Sequence, residues 1–487
     1  MKWVGKSFFM LLIVSSIALP LIVYSPSAVM AAEGMADQAD KLAKANAAFD
    51  ADKMGDMSDF DPATWVSPTG DTIKIALVAS FSGPAAANGE YYWAAVTWVA
   101  HDINKRGGIF VDGKKKLVEV IKADTMSKVD QAKKVCERMV LQEKVHVLWG
   151  TDGSNIMKVI NQVANRYKVI AQNAAANADD VQDAANFGPY SFQSAVSTEQ
   201  VGRGIACFYG QTRKKEKKFY ILCQDYSFGH NFADGFKKGL KQYFPDAQIV
   251  GEDYHKLFLT DFAPYIEKIK ASGAEVIFTS DWIPDAANLA KQSRQMGVNL
   301  PFANIYMTEP NFLHEIGIEG GRGWVNVYSG NPQLPFSVPG YVKFYRAWNN
   351  QWKKFNTSPW NSHNYENLVA GASGYWMTQT YWLLSVIERA KTTDSDKIAK
   401  LWEGDTYRDV VGHVVKMRAC DHKAIQDLSA FVSGTPEEQK AVFTIPPYCW
   451  YKGASATSEI YALPAEKVLP WMDQNLDRCK GKNDWGE

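Results

Sequence analysis

Asp71-Thr72-Ile73-Lys74-Ile75-Ala76-Leu77-Val78-Ala79-Ser80-Phe81-Ser82-Gly83-Pro84 opens the folded part of this 487-residue chain. Ile73 to Ala79 is an apolar run of strand length, and Gly83-Pro84 breaks it. A helix predicted over Tyr91 to Lys105 follows and closes on Arg106-Gly107-Gly108-Ile109. Strand, Gly-Pro loop, helix and double glycine form the first unit of an open α/β sheet, whose ligands bind at the carboxyl ends of the strands.

The alternation continues. Leu117 to Ala123, Val145 to Trp149 and Val169 to Gln172 read as strands, separated by helices over Lys128 to Glu143 and Ser154 to Tyr167. It then restarts. Helices are predicted over Thr198 to Tyr209, Phe232 to Tyr243, Phe262 to Ala271 and Asp285 to Met296. Strands fall at Lys218 to Cys223, Gln248 to Tyr254, Val276 to Thr279 and Pro301 to Ile305. Two such series imply an α/β fold of two Rossmann-like lobes, each with a parallel sheet. Beyond Trp324 the chain changes character. Pro332, Pro335 and Pro339 interrupt it, aromatic-rich helices are expected over Tyr341 to Phe355 and His363 to Ala390, and a short helix over Asp396 to Trp402.

Upstream, Lys2 and Lys6 precede an apolar stretch from Phe8 to Val23, and Val29-Met30-Ala31 supplies small residues for cleavage. Residues 1–31 therefore read as a signal peptide cut after Ala31, with an uncleaved anchor as the other reading; Pro20 and Pro26 argue against the anchor. About 455 residues remain, too many for one core. Residues 32–70 read as a helical leader and tether on the first lobe, or as a disordered segment.

Lysine plus arginine balance aspartate plus glutamate at 53 each. A neutral chain has no general pull on nucleic acid. The run Arg213-Lys214-Lys215-Glu216-Lys217-Lys218 reads as a solvated helix end. Six cysteines are too few for a disulfide scaffold. Cys136, Cys207 and Cys223 read as buried thiols, although Cys207 and Cys223 lie on neighbouring elements that allow pairing. Among Cys420, Cys449 and Cys479, a Cys420–Cys449 bridge is the favoured expectation.

Catalytic and cofactor motifs are missing. There is no phosphate loop, and no cofactor is expected. Gly202-Arg203-Gly204 lacks a third glycine, and Gly371-Ala372-Ser373-Gly374 has the wrong spacing for a nucleophile elbow. His413, Cys420, His422 and Cys449 combine into a zinc site only on paper, because their spacing matches no short-range ligand pair.

Ala79 to Pro84, Asp102-Ile103-Asn104-Lys105 with Gly107-Gly108-Ile109, Gly150 to Ser154, Tyr226-Ser227-Phe228-Gly229 and Arg418-Ala419-Cys420-Asp421-His422 occur in order. Together they resemble the type I periplasmic binding proteins for branched-chain amino acids. The resemblance covers Ile73 to Gln426. It implies two lobes joined by three hinge crossings, near Gln193 to Ser197, Val325 to Gly330 and Val411 to Lys416. Lobe 1 would comprise 71–194 plus 329–412, lobe 2 195–328 plus 413–450, and 451–487 a tail. It also implies a monomeric, non-enzymatic periplasmic receptor that hands a small solute to an inner-membrane ABC permease. A sensor of the same fold without transport and, behind it, a secreted hydrolase are the alternatives.

The same resemblance places the site residues. Ser154 starts a helix, where backbone N–H groups and the dipole favour a carboxylate; it also suits a plain helix cap. The second carboxylate anchor falls at Asn173 to Ala175. Phe228 and Trp282 match aromatic walls, though aromatic residues there are also ordinary core. Asp281 or Glu309 would pair with a ligand ammonium, and Asn88 would add a polar contact. Tyr306 occupies the aligned place of the family's usual acid, which speaks against an α-amino acid. Tyr91, Tyr92 and Trp93, beside the first loop, leave room for an aromatic or larger apolar solute.

Overall fold

The computed structural model describes residues 54–151, 153–282, 284–307, 310–329, 347, 371–408, 414–438 and 455–487. The expected signal peptide, the leader helix before 54, the helix over 341–355, Glu309, His413 and Cys449 lie outside them.

In chain order, β1 (Ile73–Ala79) leads to α1 (Ala86–Lys105), then to a hairpin of β2 (Ile109–Val111) and β3 (Lys114–Lys116). Then come β4 (Val118–Asp124), α2 (Val129–Leu141), β5 (Val147–Gly150), α3 (Ser154–Tyr167), β6 (Ile170–Asn173) and β7 (Ser191–Gln193). The five strands outside the hairpin form one parallel sheet in the order β4-β1-β5-β6-β7. Every residue of β5, β6 and β7 is buried, as expected for strands covered by helices on both faces.

The second series runs α4 (Thr198–Cys207), β8 (Lys218–Gln224), α5 (Ser227–Tyr243), β9 (Gln248–His255), α6 (Ala263–Ser272) and β10 (Val276–Thr279). It continues with α7 (Asp285–Gln295), β11 (Phe302–Asn304), α8 (Pro310–Gly320) and β12 (Val325–Tyr328). Its sheet has the order β9-β8-β10-β11-β12, parallel throughout, so both lobes share one strand order. Ser197 caps α4 in a capping box with Gln200. α4 and α5 approach closely: a Cβ on Gly202 would lie 2.5 Å from the Phe236 nitrogen, and one on Gly235 2.7 Å from the Glu199 Cα.

After the second sheet come α9 (Gly371–Ala390), α10 (Ser395–Trp402), β13 (Thr406–Arg408), β14 (Val414–Met417), β15 (Ala424–Gln426), β16 (Leu428–Gly434) and β17 (Ala456–Leu463). α9 returns to the first lobe, where the Tyr381 hydroxyl donates to Asp102 at 2.8 Å and Gln172 donates to the Gln379 carbonyl at 2.8 Å. β13, β14 and β15 form a small antiparallel sheet, linked to the end of β7 by a Gln193–Lys423 bridge. β16 and β17 then extend the second sheet antiparallel beside β12.

Two expectations change. β14 pairs with β13 and β15, so the third crossing lies between Gln426 and Leu428 rather than at Val411 to Lys416. The bridge is Cys420–Cys479, with Cα atoms 5.1 Å apart, in place of Cys420–Cys449. Cys136, Cys207 and Cys223 are free and buried, as the sequence implies, and Cys207 and Cys223 do not pair. The segment from Met54 to Ser67 is an irregular strap on α1. Phe60, 1% exposed, packs edge-on to Trp98, and Trp93 Nε1 donates to the Pro62 carbonyl at 2.8 Å. No described helix is long and apolar enough to cross a membrane.

Candidate functional site

In both sheets the strand order reverses beside the first strand, between β1 and β5 in one lobe and between β8 and β10 in the other. Side chains just past the carboxyl ends of these strands are therefore the ones placed to meet a ligand. Ser154, Phe228 and Trp282 all follow such ends.

Ser154 is the first residue of α3 and is 2% exposed. It is not the cap: Gly153 holds that position, with no side-chain bond. Its hydroxyl accepts from the Ala178 N–H at 3.2 Å, which ties the start of α3 to the loop after β6. The hydroxyl keeps its own proton to donate. Asn173 is spent locally, since its amide accepts from the Ala176 N–H at 2.9 Å and donates to the Ala176 carbonyl at 2.6 Å. It shapes the loop that carries Ala175.

The lobes meet at this loop. Tyr306, just past β11, donates from its hydroxyl to the Ala175 carbonyl at 3.2 Å and to Asn177. Lys158 of α3 pairs with Asp180 at 2.7 Å and reaches Ser227 of α5 at 3.5 Å. The Asp180 N–H donates to Asn231 of α5 at 3.2 Å.

Aromatic rings run on from Tyr306 in both directions. Phe228 stacks with it at 6.1 Å, Tyr226 lies 5.8 Å from Phe228, and the Trp282 indole donates to the Tyr226 hydroxyl at 3.0 Å. On the other side Tyr328 is 5.9 Å from Tyr306 and 5.0 Å from Tyr375. Tyr92 of α1 packs 4.5 Å from Trp376 and 5.6 Å from Trp149. Burial, and then Tyr306, Tyr375 and Tyr92 nearby, hold the Tyr328 phenol well above its ordinary pKa. The Tyr328 phenol is thus neutral at physiological pH. Asn88 is buried in the first turn of α1, on the same helix as Tyr92.

Asp281 goes elsewhere. It accepts from His255 at 2.9 Å, with both side chains fully buried inside lobe 2. Burial alone would push His255 down, but the Asp281 carboxylate holds it up at about 9. Asp285, one turn on, is pushed up to about 6 by burial and then by Asp281. Asp281 therefore balances a buried imidazolium.

Ser154, Ala175, Phe228, Trp282 and Tyr306 thus form one connected group, while Asn173 and Asp281 support it from behind. Tyr328, Tyr375, Trp376, Trp149 and Asn177 were not singled out in the sequence. Trp149 ends a predicted strand beside the Gly150 turn, which was a usable signal. Tyr328 lies in the expected second crossing, and Tyr375 in a helix whose return to the site only the fold reveals. The zinc combination is ruled out by the disulfide at Cys420 and by His422, which lies between the Ser191 carbonyl at 3.0 Å and Glu403 at 2.9 Å.

Two lobes of like topology with a shared group of residues at their facing strand ends define a type I solute-binding protein. Residues 72–434 match the family model described as periplasmic binding protein, and the chain belongs to that family. It is 28% identical over 282 residues to an "Amino acid binding protein" of Pseudomonas aeruginosa, covering 56% of this chain and 72% of that one. It is 24% identical over 264 residues to "Leu/Ile/Val-binding protein homolog 4" of Brucella abortus, covering 51% of this chain and 59% of the relative. Among solved structures, the closed Leu, Ile, Val, Thr and Ala-binding protein of Brucella ovis superposes with a TM-score of 0.68 at 18% identity, covering 83% and 98% of the two chains. A Rhodopseudomonas palustris solute-binding protein in complex with 4-hydroxybenzoate gives 0.65 at 20% identity, covering 81% and 97%. These structural likenesses carry the fold.

Proposed function

We propose that this protein is the extracytoplasmic solute-binding component of an ABC importer and captures a small carboxylate-bearing solute between its lobes, an aromatic acid in preference to an α-amino acid. The observation that carries the preference is Tyr306. A phenol bonded across the cleft to Ala175 and Asn177 stands at the aligned place of the acid that would meet an ammonium. Asp281, the nearby carboxylate, is occupied by His255.

Ser154 and the backbone around Ala175 would receive the carboxylate at the N-terminus of α3, where helix N–H groups and dipole favour negative charge. Phe228, Tyr306 and Trp282 would cover the ring, with Asn88 as a polar contact from lobe 1. Lobe 1 would be 71–194 with the stretch after 329, and lobe 2 195–328 with the strands after 427. The solute shifts the open–closed balance by binding the closed form better. The closed form presents both lobes to a permease in the inner membrane. The receptor would be monomeric, periplasmic and non-enzymatic, with its first 31 residues removed; relatives named as amino-acid-binding and a neighbour holding 4-hydroxybenzoate support a binding role.

Thermal unfolding of the mature protein against benzoate, 4-hydroxybenzoate, leucine and phenylalanine tests the reading. Solute at 100 times Kd adds about 2.7 kcal/mol of stability. Stabilisation by the aromatic acids above the amino acids is expected. A response to leucine alone would refute the preference, and no response to any of the four would refute the solute class. Permease and ATPase genes beside its own support import, whereas a histidine kinase gene there supports sensing.

A further inference from the structure

The chain does not end in lobe 2. After β17 the segment Ala465 to Leu469 lies against α4 and α5: the Tyr243 hydroxyl donates to the Lys467 carbonyl at 2.8 Å, Arg203 donates to the Leu469 carbonyl at 3.3 Å, and Lys467 reaches Gln211 at 2.8 Å. Four residues later the same segment is bound to lobe 1. Asp473 accepts from the Ala184 N–H at 2.9 Å, Met472 and Leu476 pack with Phe187, and Arg478 lies over the Phe187 ring at 5.2 Å.

The lobe 1 end is held by a buried set of bonds. Arg418, fully buried and paired with Asp421 at 2.6 Å, donates to the carbonyls of Pro470, Trp471 and Asp484. Lys423 donates to the Trp471 carbonyl at 3.0 Å, and the Cys420–Cys479 bridge closes the set covalently. Ala465 and Leu469 form a small apolar cluster with Ile425, next to the third crossing.

We infer that residues 465–479 are a fourth connection between the lobes, a tie beside the hinge that limits how far the ligand-free cleft opens. Among the described residues the single disulfide lies at this segment and not at a crossing. The tie adds a segment of irregular chain fixed at one end by Arg203 and Tyr243 and at the other by Asp473, Arg418 and the disulfide. Leu469, the last lobe 2 anchor, is followed directly by Pro470, whose carbonyl Arg418 holds, so little slack is left for the anchors to separate. This holds whichever solute the cleft takes.

The test uses the full mature chain without solute. Dyes on Lys134→Cys in lobe 1 and Lys270→Cys in lobe 2, in a Cys449→Ser background, report the lobe separation by energy transfer. Inserting Gly-Ser-Gly-Ser between Leu469 and Pro470 adds about 13 Å of slack and keeps both sets of anchors. The expected result is a longer mean distance and a broader distribution than in the parent. Arg203→Ala/Tyr243→Phe, which removes two lobe 2 anchors and keeps the disulfide, moves the distance the same way by a smaller amount. Far-UV circular dichroism and cooperative thermal unfolding confirm that each variant is folded. An unchanged distance distribution in whichever of the two variants is folded overturns the tie.

Discussion

The Tyr306 hydroxyl from lobe 2 donates across the cleft to the Ala175 carbonyl of lobe 1 at 3.2 Å. This bond joins the loop after β11 to the loop after β6, at the level of the α3 N-terminus.

Tyr306→Phe removes that donor and keeps the ring. A hydrogen bond of this kind contributes about 1 kcal/mol, so benzoate affinity should fall about fivefold. Calorimetric titration checks it. Unchanged affinity would show that closure does not use the hydroxyl.

The His255–Asp281 pair sets a pH dependence. His255 has its folded pKa raised to about 9, so its contribution is complete below about 6.5 and is lost as pH rises through 9. Asp285, raised to about 6, favours the folded state in its protonated form, a contribution lost as pH rises from about 4 to 6. Unfolding free energy should therefore fall by a few kcal/mol between pH 6.5 and 9.5. Urea titrations at four pH values measure this, and His255→Gln should flatten the slope above pH 6.5. A variant with the parent's slope would assign the titration to other groups.

The Cys420–Cys479 bridge closes a loop with a sequence separation of 59. Chain-entropy arguments assign such a loop about 4 kcal/mol, so Cys420→Ser/Cys479→Ser should unfold at markedly lower urea. Peptide mapping without reduction should recover Cys420 linked to Cys479. Recovery of a Cys420–Cys449 peptide would contradict the pairing.

Gly235→Ala places a methyl 2.7 Å from the Glu199 Cα, between α4 and α5. Backbone cannot yield as a flexible side chain would, so the helices must part, at a cost of about 1–3 kcal/mol. The midpoint of urea unfolding reports it. Gly273→Ala, at a positive φ of 70° with open space around it, costs through backbone strain alone and serves as the contrast.

Local pattern made most of the α/β series legible. β1 and β10 run over the expected residues, and α3 starts at Ser154 as its turn implied. α1 begins at Ala86, five residues early, because Ala85 gives no side-chain cap to mark the start. β7, three residues long, left no periodic signal. The third crossing was placed too early because Val414 to Met417 has strand character whichever sheet it joins, and only pairing with β13 and β15 decides between them.

By itself the sequence determined the lobes, their parallel sheets and the loops that face the cleft, since these follow from short-range apolar periodicity and turn residues. Tertiary structure alone decided what those loops do. It sent Asp281 to His255, turned Asn173 onto its own loop, brought Tyr306 to Ala175 and matched Cys420 with Cys479. All but the Asn173 turn join separate elements, and no spacing along a chain encodes which distant partner will arrive.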